Sequence, residues 1–353
     1  MPRLELDAAA VTREAMVLAE RLAAAPAALR GLGDVRPGAT ARTCVWQRDA
    51  VRLYRYGTEA AGGPPLLIVY ALVNRPEMAD LEAGRSLVAG LLERGVDVYL
   101  LDWGYPGAAD GGLGLADYLE RYLDGAVDHL RDQLVRSRLP LLGICQGGTF
   151  SLCYAALHPD KVDRLVLSVT PVDFHTDDDA LSHLARHIDI EALVAAQGNL
   201  AGDWLNALFL ALKPHQLLQQ KYLRFLDHVD DAAASATFLR MERWIFDSPA
   251  LAARVAREFA REFYQRNALV AGTLSIAGRS VRLDALTQPI LNIYARHDHL
   301  VPPAASRALA GLVGSSDYRE HELAGGHIGI YVGSRAERPV AAVVAEWLAE
   351  AGR

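Results

Sequence analysis

The chain has 353 residues, 51% of them hydrophobic and 22% charged, with a net charge of -7. That length suits an α/β domain with an insertion and a large buried core, and the acidic balance argues against a nucleic-acid binder. Cys44, Cys145 and Cys153 are too few and too irregularly spaced for a disulfide framework or a zinc site, so a reducing compartment is expected.

No secretory signal is read at the N-terminus, because Arg13, Glu14, Glu20 and Arg21 interrupt the apolar stretch there. Residues 11–29 have helical spacing and predict an amphipathic leader helix, with Pro26 a candidate break. Residues 43–57 alternate polar and apolar, as half-buried antiparallel strands do. The segments 65–73, 96–103, 139–145, 165–172 and 289–294 are continuous apolar runs, the mark of strands covered on both faces. Helical patterns at 86–94, 115–136 and 149–157 alternate with them, which predicts a doubly wound, mostly parallel sheet. The longest uncharged stretch, 139–159, contains Gln146, Gly147, Gly148 and a closing Pro159. A membrane span needs about 20 apolar residues in one intact helix, so this stretch reads as strand, turn and helix, and a soluble, cytoplasmic chain is expected.

Residues 173–284 interrupt the rhythm. No buried strand is evident there, and helices are predicted at 179–187, 204–226, 235–246 and 250–268. Seven of the chain's eight phenylalanines lie in this segment, with Trp204 and Trp244. It reads as a helical subdomain with its own core, or as a cap whose aromatic face closes over a pocket, and the two readings are compatible. The domain division expected is a core of 1–172 and 285–353 with a cap at 173–284.

One cysteine stands where a strand turns into a helix, in Gly-Ile-Cys-Gln-Gly-Gly, residues 143–148. A side chain at such a turn stands above the sheet, and small neighbours let the backbone bend. The pattern is Gly-x-Ser-x-Gly with cysteine in place of serine. The amide of Gln146 would point at a developing oxyanion, and the helix N-terminus would favour a thiolate. Cys153 and Cys44 are expected to be structural. A nucleophile of this type needs an acid and then a histidine later in the chain. Asp298 follows a buried strand in NIYARHDHLVPP, and His327 lies in the Gly-rich loop of YREHELAGGHIGIYVG. His297 and His299 could line the pocket, while His321 falls within a strand pattern. A second oxyanion donor is expected from YALVNRPEM, with Val73 as the amide and Asn74 and Arg75 shaping the loop. His183 and His187, four apart with His175 nearby, have the spacing of a metal pair but no complete ligand signature, so no metal or other cofactor is expected.

These motifs resemble the polyhydroxyalkanoate synthases, and most of all the short catalytic subunits of the class III, two-subunit enzymes, which have the α/β-hydrolase fold. The family box Gly-x-Cys-x-Gly-Gly is met at 143–148, and ALVNRPEMADL, DVYLLDWGYPG, MERWIFDSP, FYQRN, HDHLVPP and GGHIG extend the likeness from about residue 40 to the C-terminus. The resemblance implies a triad of Cys145, Asp298 and His327. It also implies an (R)-3-hydroxyacyl-CoA substrate, 3-hydroxybutyryl-CoA above all, with coenzyme A part of the substrate rather than a cofactor. An accessory subunit, a homodimer and work at the surface of polymer granules are further implications. Dienelactone hydrolases carry a similar Cys turn, so a cysteine hydrolase or thioesterase is the alternative enzyme. A non-catalytic granule-coating protein is the alternative outside enzymes.

Overall fold

The computed structural model describes residues 7–58, 62–333 and 337–350. An eight-stranded sheet lies at its centre: β1 (Arg42–Arg48), β2 (Val51–Tyr56), β3 (Pro65–Val69), β4 (Asp97–Asp102), β5 (Leu139–Ile144), β6 (Val162–Ser168), β7 (Ile290–Ala295) and β8 (Tyr318–Leu323). Their order is β1-β2-β4-β3-β5-β6-β7-β8. β2 runs antiparallel to β1 and β4, and the remaining pairings are parallel.

The leader helix is α1 (Ala8–Gly31), and α2 (Leu87–Leu92), α3 (Asp124–Leu134) and α4 (Gln146–Leu157) connect the strands up to β6. Between β6 and β7 come α5 (Ala180–Ala185), α6 (Ile190–Gln197), α7 (Gly202–Leu212), α8 (Lys221–Leu226), α9 (Ala232–Phe246) and α10 (Ala253–Phe259). Helices α11 (Pro303–Arg307), α12 (Gly329–Val332) and α13 (Glu337–Glu350) close the chain. Strand side chains alternate between two apolar layers. Leu67, Val69 and Leu141 join α3, α4 and the inserted helices on one face. Leu66, Ile68, Leu142 and Ile144 join α2, α12 and α13 on the other. Burial on both faces explains why the strands read as unbroken apolar runs.

Several boundaries differ from the sequence reading. α1 runs through Pro26 without a break; Ala25 beside that proline packs on Phe225, Leu226 and Val229, so tertiary contact holds the turn. The run 65–73 leaves the sheet after Val69, and the run 165–172 is displaced to Val162–Ser168. Val162 pairs with Leu139 at one end, and at the other Val169 turns to φ 46°. Predicted helix 204–226 divides near Pro214, which lacks the amide that a continuous helix needs. The segment 115–136 begins with a π-helical stretch, Asp117–Leu123, as 250–268 ends with one, Ala260–Gln265. α6 was absent from the predicted helices, and a short hairpin pairing Ser275–Ile276 with Arg279–Ser280 contains the buried Ile276 where no buried strand was evident.

Candidate active site

The chain moves outward from β3 to β4 and then back to β5, so β3 and β5 are neighbours and a crevice is left beyond their C-terminal ends. Cys145 stands there, the first residue after β5, with φ 54° and ψ -126°. Such a conformation costs energy in a non-glycine residue and lifts the side chain off the sheet. The neighbouring glycines are required by close contacts. A Cβ on Gly143 would lie 2.4 Å from the Gly148 Cα, one on Gly147 would lie 2.1 Å from the Val69 carbonyl oxygen, and one on Gly148 would lie 1.8 Å from Thr170 Oγ1.

Asp298 follows β7 and His327 follows β8, so both reach the same end of the sheet. The His327 Nδ1 lies 2.7 Å from Asp298 Oδ2, and both side chains are buried. The other carboxylate oxygen of Asp298 accepts the amides of Leu300 and Val301, each at 2.9 Å. A carboxylate only accepts, so Nδ1 carries the proton and Nε2 is left for Cys145. Burial alone would lower the pKa of His327; the Asp298 carboxylate and the adjacent Cys145 side chain outweigh it and hold the imidazole well above its ordinary range. Cys145 and His327 line one cavity of about 280 Å³.

The loop after β3 forms a wall of that cavity. The Gln146 side chain accepts the Leu72 amide at 3.0 Å, which leaves the next amide, that of Val73, with no acceptor among the described residues. Gln146 opens α4, so its own amide has no partner within the helix. Val73 and Gln146 both line the cavity. Asn74 adopts φ 61° and accepts the Ser248 hydroxyl. Arg75 grips Asp102 with two hydrogen bonds of 3.0 Å, and its carbonyl accepts the Trp244 indole at 2.7 Å. The inserted segment is therefore fastened to this loop by Trp244 and Ser248, both from the RWIFDSP stretch. The remaining lining is largely apolar, with Trp204, Leu205, Leu251 and Phe259 contributed by the insertion.

Most of the other predicted residues fall elsewhere. Cys153 is buried in α4 with its thiol pushed up to about 12 by burial, and Cys44 is exposed on β1. His321 lies on β8. His299 lines the cavity, and burial holds its pKa below the ordinary value, with Lys213 adding to the effect. His183 is engaged by Arg186 at 2.6 Å and faces the Asp177 carbonyl at 3.1 Å, and no group of three metal-ligating side chains is found among the described residues. Asp179, which the sequence placed only near the His183 and His187 pair, and Asn206 and Tyr264, which it did not single out, also line the cavity. Asp179 carried a signal, since it sits three residues before Ser182, whose amide it accepts at 2.9 Å as the cap of α5. No described helix is long and apolar enough to cross a membrane, and the uncharged stretch 139–159 divides into β5 and α4.

Residues 64–334 match the alpha/beta hydrolase fold family. The chain is 47% identical to the poly(3-hydroxyalkanoate) polymerase subunit PhaC of Allochromatium vinosum, over 96% of this chain and 97% of that protein. The chain belongs to the PhaC family of poly(3-hydroxyalkanoate) polymerase subunits. Another member, from Synechocystis sp., is 49% identical over 91% of this chain and 88% of its own length. Among solved structures, a monoacylglycerol lipase from Paleococcus ferrophilus aligns with a TM-score of 0.55, covering 84% of this chain and 98% of its own, at 19% identity. That likeness bears on the fold alone. As a PhaC family member the chain is an enzyme of the acyltransferase class.

Proposed function

We propose that this chain polymerises (R)-3-hydroxyacyl groups, 3-hydroxybutyryl above all, from their CoA thioesters into polyester, through a thioester on Cys145. The observation that carries this reading is a thiol at the strained turn, beside a buried Asp298–His327 pair and at the floor of an apolar cavity. Asp298 steadies the imidazolium, and His327 takes the Cys145 proton. The thiolate attacks the substrate carbonyl, whose oxyanion is received by the amides of Gln146 and Val73. CoA then leaves as a thiol with the proton from His327. The acyl group has passed from one thioester to another, so it remains activated. The 3-hydroxyl of the next unit, or of the chain end, attacks the acyl-Cys145 thioester as His327 accepts its proton; the C–S bond breaks, Cys145 leaves as thiolate and regains that proton from His327, and the new oxoester bond drives elongation. His327 suits this second step better than Asp298, whose two oxygens are already occupied by His327 and by two amides.

Coenzyme A enters here as part of the substrate, and the reaction calls for no separate cofactor. Residues 173–284 act as a cap that keeps water, the competing nucleophile, away from the acyl-enzyme. An accessory subunit, a homodimer and work at the surface of polymer granules complete the reading; the word subunit in the relatives' names supports the first of these. A cysteine thioesterase would use the same three residues with a wetter pocket, and the apolar lining favours polymerisation over hydrolysis. A non-catalytic coat protein would have no use for the buried Asp298–His327 pair.

The test incubates purified protein, with and without an accessory subunit, with 3-hydroxybutyryl-CoA, following free thiol and turbidity together. Thiol release with insoluble polyester supports the synthase, and thiol release with free hydroxy acid supports the thioesterase. Cys145→Ala is expected to abolish thiol release and Cys145→Ser nearly so; substantial turnover by the alanine variant would overturn the assignment.

A further inference from the structure

A second hollow, a crevice of about 880 Å³, lies beside α8. One wall is a single helical face: positions 216 and 217, 220 and 221, 224 and 225, and 228 recur every fourth residue. The other is formed by Glu82 and Arg85 of the 80–86 hairpin and by Thr237 and Phe238 of α9. Leu217 lines both this crevice and the cavity that holds Cys145, so one side chain stands between the two spaces.

The crevice has an excess of positive charge although the chain as a whole is acidic. Glu82 is held by Arg85 at 3.0 Å and by Arg240, Lys221 is paired with Glu242 at 2.7 Å, and Asp231 is occupied in capping α9 through the Ala233 and Ala234 amides. Arg224 has no acidic partner among the described residues, and neither has Lys213, one helical turn before Leu217. Arg224 is thus a cation lining the crevice that no carboxylate among the described residues neutralises. Guanidinium groups without a carboxylate are suited to bidentate contact with phosphate.

We propose that this crevice binds the phosphorylated nucleotide end of the CoA thioester, with Arg224 as its phosphate contact and the narrow pantetheine arm passing Leu217 to reach Cys145. The inference rests on the acyl-CoA reading given above, and it adds the place and the residues that receive the nucleotide.

Calorimetric titration with free CoA provides a readout that does not depend on turnover. Arg224→Glu is expected to weaken CoA binding by about tenfold or more, the scale of one charge-assisted hydrogen bond. Arg136→Glu, an exposed reversal near the opposite end of β5, is the control and is expected to keep the wild-type affinity. In the kinetic arm, Arg224→Glu is expected to lower kcat/KM with 3-hydroxybutyryl-CoA much more than with the N-acetylcysteamine thioester of the same acid, which has no phosphates. Equal losses with the two thioesters, undiminished CoA affinity in Arg224→Glu, or a wild-type protein that binds no CoA would each overturn the proposal. A wild-type protein that binds CoA through Arg224 yet releases no thiol from the acyl thioester would overturn the polymerase reading and leave the crevice assignment standing.

Discussion

His327 is a buried imidazole that nevertheless holds its proton. Removal from water opposes the charge, and the Asp298 carboxylate with the Cys145 side chain restores it. His327→Gln is expected to lower the rate of CoA release by on the order of a hundredfold or more, the usual scale for a general base; near-normal kinetics would transfer the role to His299. A linkage prediction follows from the raised pKa. A group that binds its proton more tightly when folded stabilises the fold fully below its unfolded pKa of about 6.5 and loses that contribution as pH rises through the folded value. The stability gap between wild type and His327→Gln, from urea titrations, is therefore expected to be widest just below pH 6.5 and to close as pH is raised. A gap that widens with pH would contradict the charge assignment.

At the scale of elements, the parallel strands were legible because a strand covered on both faces must be apolar throughout, as all of β3, β4, β5 and β7 are buried. The Cys145 turn was legible because glycines at 143, 147 and 148 are required by contacts of 1.8–2.4 Å, a need that few other sites impose. Ends of elements were less legible, since they depend on partners distant in sequence. Val162 joins β6 because Leu139 lies opposite, and Pro26 stays helical because the neighbouring Ala25 is packed. The inserted segment was read as helical but not in its divisions: Ile190–Gln197 has too little polar contrast to stand out, and only Pro214 marks the later break. The attachment of this segment to the core could not be read from periodicity at all. One of its bonds is that of the Trp244 indole to the Arg75 carbonyl, a contact across 169 positions. Trp244→Phe keeps an aromatic side chain, smaller by the pyrrole half of the indole, and removes the donor, leaving a part-buried carbonyl unsatisfied; a loss of about 1–3 kcal/mol from that carbonyl, with a further cost for the lost volume, is expected in denaturant titration. Faster amide exchange confined to residues 70–79 would show that the loop, and not the core, has been released.

Across the whole molecule, the sheet supplies the reacting groups and the insertion supplies the surroundings. Cys145, Asp298 and His327, the proposed nucleophile, acid and base, follow β5, β7 and β8, whereas Trp204, Leu205, Leu251 and Phe259 of the insertion line the cavity that Cys145 and His327 share. If an apolar enclosure is what favours a hydroxyl over water, wetting it should change the product before it changes the rate. Leu205→Asn, on the cavity side of α7, is expected to raise the share of free 3-hydroxybutyrate relative to polymer, as measured by chromatography of the soluble and insoluble fractions. An unchanged ratio with intact folding would remove the insertion from the control of product fate.

The bond between the Leu72 amide and the Gln146 side chain spans 74 positions and pins the end of one central strand to the start of the helix on its neighbour. Trp244 and Ser248 pull on this loop only at Asn74 and Arg75, beyond the pin. Movement of the helical lobe would thus be taken up downstream of the pin, while the spacing between the amides of Gln146 and Val73, the proposed oxyanion donors, would stay constant from one cycle to the next.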